Sequence, residues 1–223
     1  MKILRFNDDR IGVLNRDNRV VDISNLIAHR EFRGPQGAMD ELIANFTSYR
    51  PAIEKLRASE KGMALTEVTL LAPLPRPMRL RGTFANNFDK PDQSLDMKPN
   101  EFFHKSPEIV GPEGTIELPD IEPVLVYHAE AELAFVVGRH GKHVPEGQAM
   151  EHVFGYVPFF DVSGRGITRR SQLIAKGLDT FAACGPWITT ADEIPDPHNL
   201  TVRSWLNGQP RQDYNTKFMA NRI

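Results

Sequence analysis

Three short runs near the start of the chain, Lys2–Phe6, Arg10–Leu14 and residues 19–23, mix apolar and polar positions in the manner of strands. Successive side chains of an extended segment point to opposite faces, so such runs predict short strands. Asp8-Asp9 and Arg16-Asp17-Asn18 supply the turns, and together they predict a small β-meander. The period then changes. Over residues 40–59, Leu42, Ile43, Phe46, Ile53 and Leu56 recur near helical spacing, with Asp40 placed as N-cap and Pro51 placed to break or kink the helix.

Pro73, Pro75 and Pro77 alternate within 72–78, and three such prolines fit neither a helix nor a central strand. We therefore expect a small N-terminal β-rich domain over 1–72, a Pro-rich linker over 73–78 and a larger domain over 79–223. A rigid loop inside one domain is the other reading. After a polar stretch at 86–100, apolar runs at 123–127, 131–137, 153–160 and 200–206 predict strands, against helical signal only near 146–151 and Gln172–Lys176. The expected fold class is mainly β with few helices (α+β).

Composition narrows the function. A chain of 223 residues, 40% hydrophobic and 25% charged, is that of an ordinary globular protein. With 27 basic and 29 acidic residues, the net charge of -2 removes the electrostatic basis for a nucleic-acid or acidic-membrane partner. No run approaches the ~20 apolar residues of a membrane helix, and Asp8 and Asp9 precede any apolar run that would serve as a signal peptide. Cys184 is the only cysteine, which excludes an internal disulfide and a multi-cysteine metal site. These features predict a cytoplasmic protein with no nucleic-acid and no membrane partner. Phosphate-loop, dinucleotide and serine-hydrolase motifs are missing from the sequence. His140, His143 and His152 are set aside as a zinc cluster because they fall in a turn-like polar stretch, and Cys184 reads as a small buried side chain.

The chemistry concentrates between His128 and Lys176. In a strand, Glu130 and Glu132 share a face, while Leu133, Phe135 and Val137 line one side and Ala134 and Val136 the other. A strand this apolar is expected to be buried on both faces, where two adjacent carboxylates repel and a cation relieves them. An exposed strand end accounts for the same pair. Asp161 closes the apolar run that starts at Val153, either as a turn residue or as a carboxylate held in a pocket. Arg165 suits a carboxylate clamp and Lys176 a keto or enolate oxygen. Taken singly, each basic residue also reads as a solvated surface charge.

Taken together, ordered blocks between about Phe102 and Asn215 resemble the fumarylacetoacetate hydrolase family, which includes acylpyruvate hydrolases, oxaloacetate decarboxylases and related hydratases and lyases. The blocks are Phe102-Phe-His-Lys105, Ile109-Val-Gly-Pro112, Glu130-Ala-Glu-Leu-Ala-Phe-Val-Val-Gly138, Phe154-Gly-Tyr156, Asp161-Val-Ser163 with Arg165, Lys176 to Asp179, Gly185-Pro-Trp187, Ile194-Pro-Asp-Pro197, and Asn207-Gly208 with Arg211-Gln212. The resemblance implies a mixed β-roll core behind a small leading domain, and a homodimer. It also implies Mg²⁺ or Mn²⁺, with Ca²⁺ compatible, on Glu130, Glu132 and Asp161, since all-oxygen sites prefer hard cations. Lys176 matches the lysine near the substrate's oxo group, as a catalytic and substrate-binding residue. Arg165 matches the arginine near the substrate carboxylate, and Lys105 is a further substrate-binding cation. The implied function is a divalent-metal-dependent hydrolase or lyase acting on small anionic 2-oxo or 2,4-dioxo acids. It would cleave a C–C bond or decarboxylate through a metal-bound enolate.

The pattern departs from the family in three places. Lys90 stands in the region of the histidine that activates water, which leaves His104 as the nearest catalytic substitute. Gly166-Ile167-Thr168 follows Arg165, where the family prefers Asp and then Gln. The chain also stops at Ile223 before the family's later strands, so the core is expected to be C-terminally incomplete, with exposed strand edges. The rival reading is a catalytically silent homologue that binds a small acid or serves as an oligomeric scaffold.

Overall fold

A computed structural model describes residues 1–28, 34–88, 101–122, 124–166 and 172–223. The meander forms as expected: β1 (Lys2–Phe6), β2 (Arg10–Leu14) and β3 (Val20–Asp22) pair antiparallel in sequence order. Two helices follow, α1 (Gly34–Ala44) and α2 (Phe46–Ser59), where one helix over 40–59 was expected. Asp40 does not cap a helix. It lies inside α1, where its Oδ1 accepts from Gln36 Nε2 at 2.7 Å. Pro51 sits inside α2 without ending it, and the interruption falls at Asn45, whose φ of -115° and ψ of 23° leave the helical region. Met39, Leu42 and Ile53 bury the inner helix faces, so packing against the sheet overrides the local cost of the proline.

The chain continues through β4 (Leu70–Leu71), β5 (Arg81–Thr83), β6 (Phe102–His104), β7 (Val126–Val137), β8 (Val153–Arg165), α3 (Gln172–Lys176), β9 (Ala182–Cys184), β10 (Ile188–Thr190), β11 (Thr201–Leu206) and β12 (Gln209–Asn215). The fold is mainly β with few helices. Its principal sheet runs β3-β2-β1-β10-β8-β7, with β4 on β1 and β9 on β8, while β5–β6 and β11–β12 form two-stranded ladders. Strand β1 pairs with β10 through Lys2↔Thr189 and Ile3↔Ile188, so residues before 73 and after 78 share one sheet. They also share one core, in which Ile3, Val13, Met39 and Leu42 pack with Val157, Phe159, Ala182 and Ile188.

Residues 126–137 form a single 12-residue strand, and it is not buried on both faces as expected. Strand β7 ends the sheet and has a ladder partner, β8, on one side. Val136 is buried toward the core, whereas Phe135 is 45% and Val137 61% exposed.

Candidate metal centre

The site is built on the β7–β8 ladder. Its register sets His128 opposite Ser163, Glu130 opposite Asp161 and Glu132 opposite Phe159. Directly opposed residues of an antiparallel pair share a face, so His128, Glu130, Glu132, Asp161, Ser163 and Arg165 all rise from one side of two strands. Carboxylate oxygens of Glu130, Glu132 and Asp161 come within 4.8 Å of one another. Among the described residues, this is the only group of three or more acidic, histidine or cysteine side chains so placed.

Two buried lysines enter the cluster. Lys105 follows β6, whose alternation turns Phe103 and Lys105 inward and His104 outward. Its Nζ donates to Asp161 Oδ1 and, at 2.9 Å, to the Val162 carbonyl. Lys176, in the last turn of α3, donates from Nζ to Glu130 Oε2 at 2.9 Å and to Asp161 Oδ2 at 2.5 Å. The same ammonium lies 4.7 Å from the centre of the Phe103 ring. Arg165 pairs with Glu130 Oε1, and Ser163 Oγ donates to Glu130 Oε2 at 3.0 Å.

Glu132 is the exception. Among the described residues it has no hydrogen-bond or ion-pair partner, although the other two carboxylates have several. Burial and the neighbouring Asp161 charge push its carboxyl up to about 7, against the opposing pull of Lys176. Burial also works to raise the Glu130 carboxyl, but the Lys176 hydrogen bond and charge, the Arg165 charge and the Ser163 hydroxyl hold it below the usual carboxylate range. Desolvation lowers the Lys105 ammonium despite its Asp161 partner. The donor set suits a hard cation. The Lys176 ammonium is a positive charge shared by Glu130 and Asp161, beside a third carboxylate that has no hydrogen-bond or ion-pair partner among the described residues.

Six of the seven residues singled out for the site meet here: Glu130, Glu132, Asp161, Lys105, Arg165 and Lys176. Lys105, expected to contact substrate, has its ammonium between Asp161 and a backbone carbonyl. His104 is not brought in: its side chain is exposed and makes no hydrogen bond to another described residue. Lys90 and Thr168 lie outside the described residues. His128, to which the sequence reading gave no role, has Nδ1 at 3.9 Å from Glu130 Oε1. Its position two residues before Glu130 on the same strand face was the available signal. Asp179 takes a 3.4 Å hydrogen bond from Ser106 Oγ instead of joining the carboxylates. Cys184 is buried, and burial pushes its thiol up to about 12.

Comparison with known proteins agrees with this architecture. Residues 78–223 match the family model for the fumarylacetoacetate (FAA) hydrolase C-terminal domain. The chain is 33% identical over 181 residues to the mitochondrial oxaloacetate tautomerase fahd2 of Xenopus laevis, covering 78% of this chain and 56% of that protein. It is 29% identical over 237 residues to the maleylpyruvate hydrolase of Aquipseudomonas alcaligenes, covering 97% of this chain and 79% of that one. The crystal structure of maleylpyruvate hydrolase from Sphingobium sp. SYK-6, in complex with manganese (II) ion and pyruvate, superposes with a TM-score of 0.85 at 31% identity, over 99% of this chain and 78% of that one. The chain spans about half the length of the tautomerases it matches. The family model covers well over half of the chain, and the protein belongs to the fumarylacetoacetate hydrolase family.

Proposed function

We propose that this chain carries the metal site of an enzyme acting on small 2-oxo or 2,4-dioxo acids, with Glu130, Glu132 and Asp161 as the ligands of Mg²⁺ or Mn²⁺. The observation that carries the reading is the convergence of three carboxylates, two sharing an ammonium and the third without a hydrogen-bond or ion-pair partner among the described residues. The manganese and pyruvate of the Sphingobium structure support both the metal and the substrate class. When bound, a divalent cation would polarise a 2-oxo group and its neighbouring carboxylate.

The chain's own residues supply the rest. Arg165 is partly exposed while paired with Glu130, and it can offer its guanidinium to a substrate carboxylate at the rim. Lys176 presents a buried positive charge where negative charge would develop on the oxo oxygen. Lys105 anchors Asp161, and Ser163 orients Glu130. Among the described residues, no histidine hydrogen-bonds into the cluster to activate water. Decarboxylation of an oxaloacetate-type acid needs charge stabilisation at the oxo oxygen, because loss of CO₂ itself leaves the electron pair of the broken C–C bond on the enolate. Hydrolysis of a C–C bond needs an activated water in addition. We therefore favour decarboxylation, and the oxaloacetate tautomerase relatives support that substrate class. The reading includes a homodimer, supported by the exposed Leu125, Phe135 and Val137 on and beside the open side of β7.

The test is turnover of oxaloacetate and of acylpyruvates with Mg²⁺ or Mn²⁺, against metal-stripped protein. Faster loss of oxaloacetate is expected. Acylpyruvate hydrolysis that exceeds it and survives His104→Ala would overturn the preference for decarboxylation. Oxalate binding without any turnover would leave small-acid capture as the function.

A further inference from the structure

Strand β7 carries two of the three carboxylates, yet among the described residues it is the terminal strand of its sheet, and a terminal strand leaves alternate backbone groups without a ladder partner. At one residue the open side is closed by side chains. Ala131, which lies between Glu130 and Glu132, donates its N–H to Gln212 Oε1 at 2.6 Å. Its carbonyl accepts from Gln212 Nε2 at 3.4 Å and from the Tyr214 hydroxyl at 3.0 Å. The primary amide of Gln212 thus supplies the donor and acceptor that a neighbouring strand's peptide would offer. Gln212 is held in turn, because Ser204 Oγ donates to the same Oε1 at 3.1 Å across the β11–β12 ladder. Ala131 and Tyr214 are both buried, so water does not substitute freely for these bonds.

We propose that Gln212, backed by Tyr214, is a positioning residue for the metal site: it fixes the peptide between the two glutamates and so sets the separation and direction of their carboxylates. The inference rests on the metal reading above. Among the described residues, β8 is the ladder partner of β7 and restrains it from one side. Without the amide, the segment 130–132 can twist away from β8 and the three-carboxylate convergence loosens. Groups that orient ligands without touching the ion commonly change metal affinity by roughly 10–100-fold, and Gln212 acts at the same remove, through backbone.

The experiment measures Mn²⁺ affinity, from the electron paramagnetic resonance signal of free Mn²⁺, alongside thermal unfolding of the metal-free chain. The proteins are the unmodified chain, Glu132→Gln, Gln212→Met, Gln212→Asn and Trp205→Ala. Gln212→Met keeps the side-chain length without its hydrogen bonds. Gln212→Asn keeps the amide but stops short of Ala131, and it serves if the methionine variant fails to fold. Trp205→Ala removes an exposed side chain from the same hairpin and reports simple hairpin destabilisation. We expect both Gln212 variants to fold and to lose about tenfold or more in Mn²⁺ affinity, while Trp205→Ala lowers the unfolding temperature with little change in affinity. Folded Gln212 variants with unchanged affinity would overturn the positioning role and leave the metal site standing. An affinity loss in Trp205→Ala equal to that of the Gln212 variants would also overturn it. Failure of the unmodified chain to bind Mn²⁺, or unchanged affinity in Glu132→Gln, would remove the metal reading and this inference with it.

Discussion

Glu130 and Asp161 stand directly opposite each other across the β7–β8 ladder, and the Lys176 ammonium bonds to both. Register alone brings the carboxylates together, and the lysine keeps them from repelling. The relationship also explains why Glu132, one position removed along the same face, has no ion-pair partner among the described residues.

The Lys105–Asp161 pair is almost wholly removed from solvent. Removing one member of such a pair strands the other's charge, which typically costs about 3–5 kcal/mol. Asp161→Ala strands Lys105 and leaves Lys176 with Glu130 as its carboxylate partner, so a loss of about that order is expected in urea unfolding of the metal-free chain. A loss below about 1 kcal/mol, the scale of a surface ion pair, would mean that the lysines relax to water and that the cluster is not a fixed site.

Glu132 and Glu130 respond oppositely to pH. The folded-state carboxyl of Glu132 is raised to about 7, so its contribution to stability is present in acid and is lost as pH rises toward and through 7. Glu130 is lowered, and its contribution is present above the ordinary carboxylate range and lost on acidification. Glu132→Gln should therefore stabilise the metal-free chain at pH 8 relative to the unmodified chain, with little difference near pH 4. In the unmodified chain, Mn²⁺ binding below pH 7 should release a proton, and affinity should climb toward neutrality. Calorimetry in two buffers of different ionisation enthalpy measures that proton. An affinity independent of pH from 5.5 to 8 would contradict the assignment of Glu132 as a ligand.

Oxalate, a stable mimic of a 2-oxo acid's chelating end, tests the two cations. Lys176→Met removes a buried charge, and charge-assisted hydrogen bonds contribute about 1.5–3 kcal/mol, or roughly 10–100-fold in affinity. Arg165 is partly exposed, and about 1 kcal/mol or less is expected there. Calorimetric titration in the presence of Mn²⁺ separates the two. Unchanged affinity in both variants would place the acid elsewhere.

Phe135 and Val137 are exposed at the end of the sheet. Exposed apolar residues on an edge strand favour association, so sedimentation of the unmodified chain should show a dimer. Phe135→Lys should shift it toward monomer without lowering the thermal midpoint by more than a few degrees. A monomer at all concentrations before the substitution would dissociate this face from self-association.

Much of the fold is local in origin and was readable as such. Strands β1 and β2 form at their predicted bounds between short polar turns, and they bury both faces, with Ile3, Ile11 and Val13 in one apolar cluster and Leu4, Phe6 and Leu14 in another. The apolar spacing predicts the helical region but not its division at Asn45. Proline at position 51 is the strongest local breaker, yet burial of Ile53 carries the helix through it. The carboxylates were also legible, because Glu130 and Glu132 share a face by strand geometry alone and Asp161 closes a matching apolar run.

Covalent spacing therefore determined the candidate ligands, the strand periodicity and the charge balance of this protein. Only the tertiary structure decided that Glu130 opposes Asp161, that Lys105 and Lys176 enter from separate elements, and that His104 turns outward. It also decided that β1 joins β10, so that a meander read as a separate unit completes the principal sheet. The physical reason is range. A side chain's direction follows from its own backbone, whereas its partner follows from strand register and long-range burial. No window of the sequence contains Ala131 and the Gln212 amide that closes its open edge together.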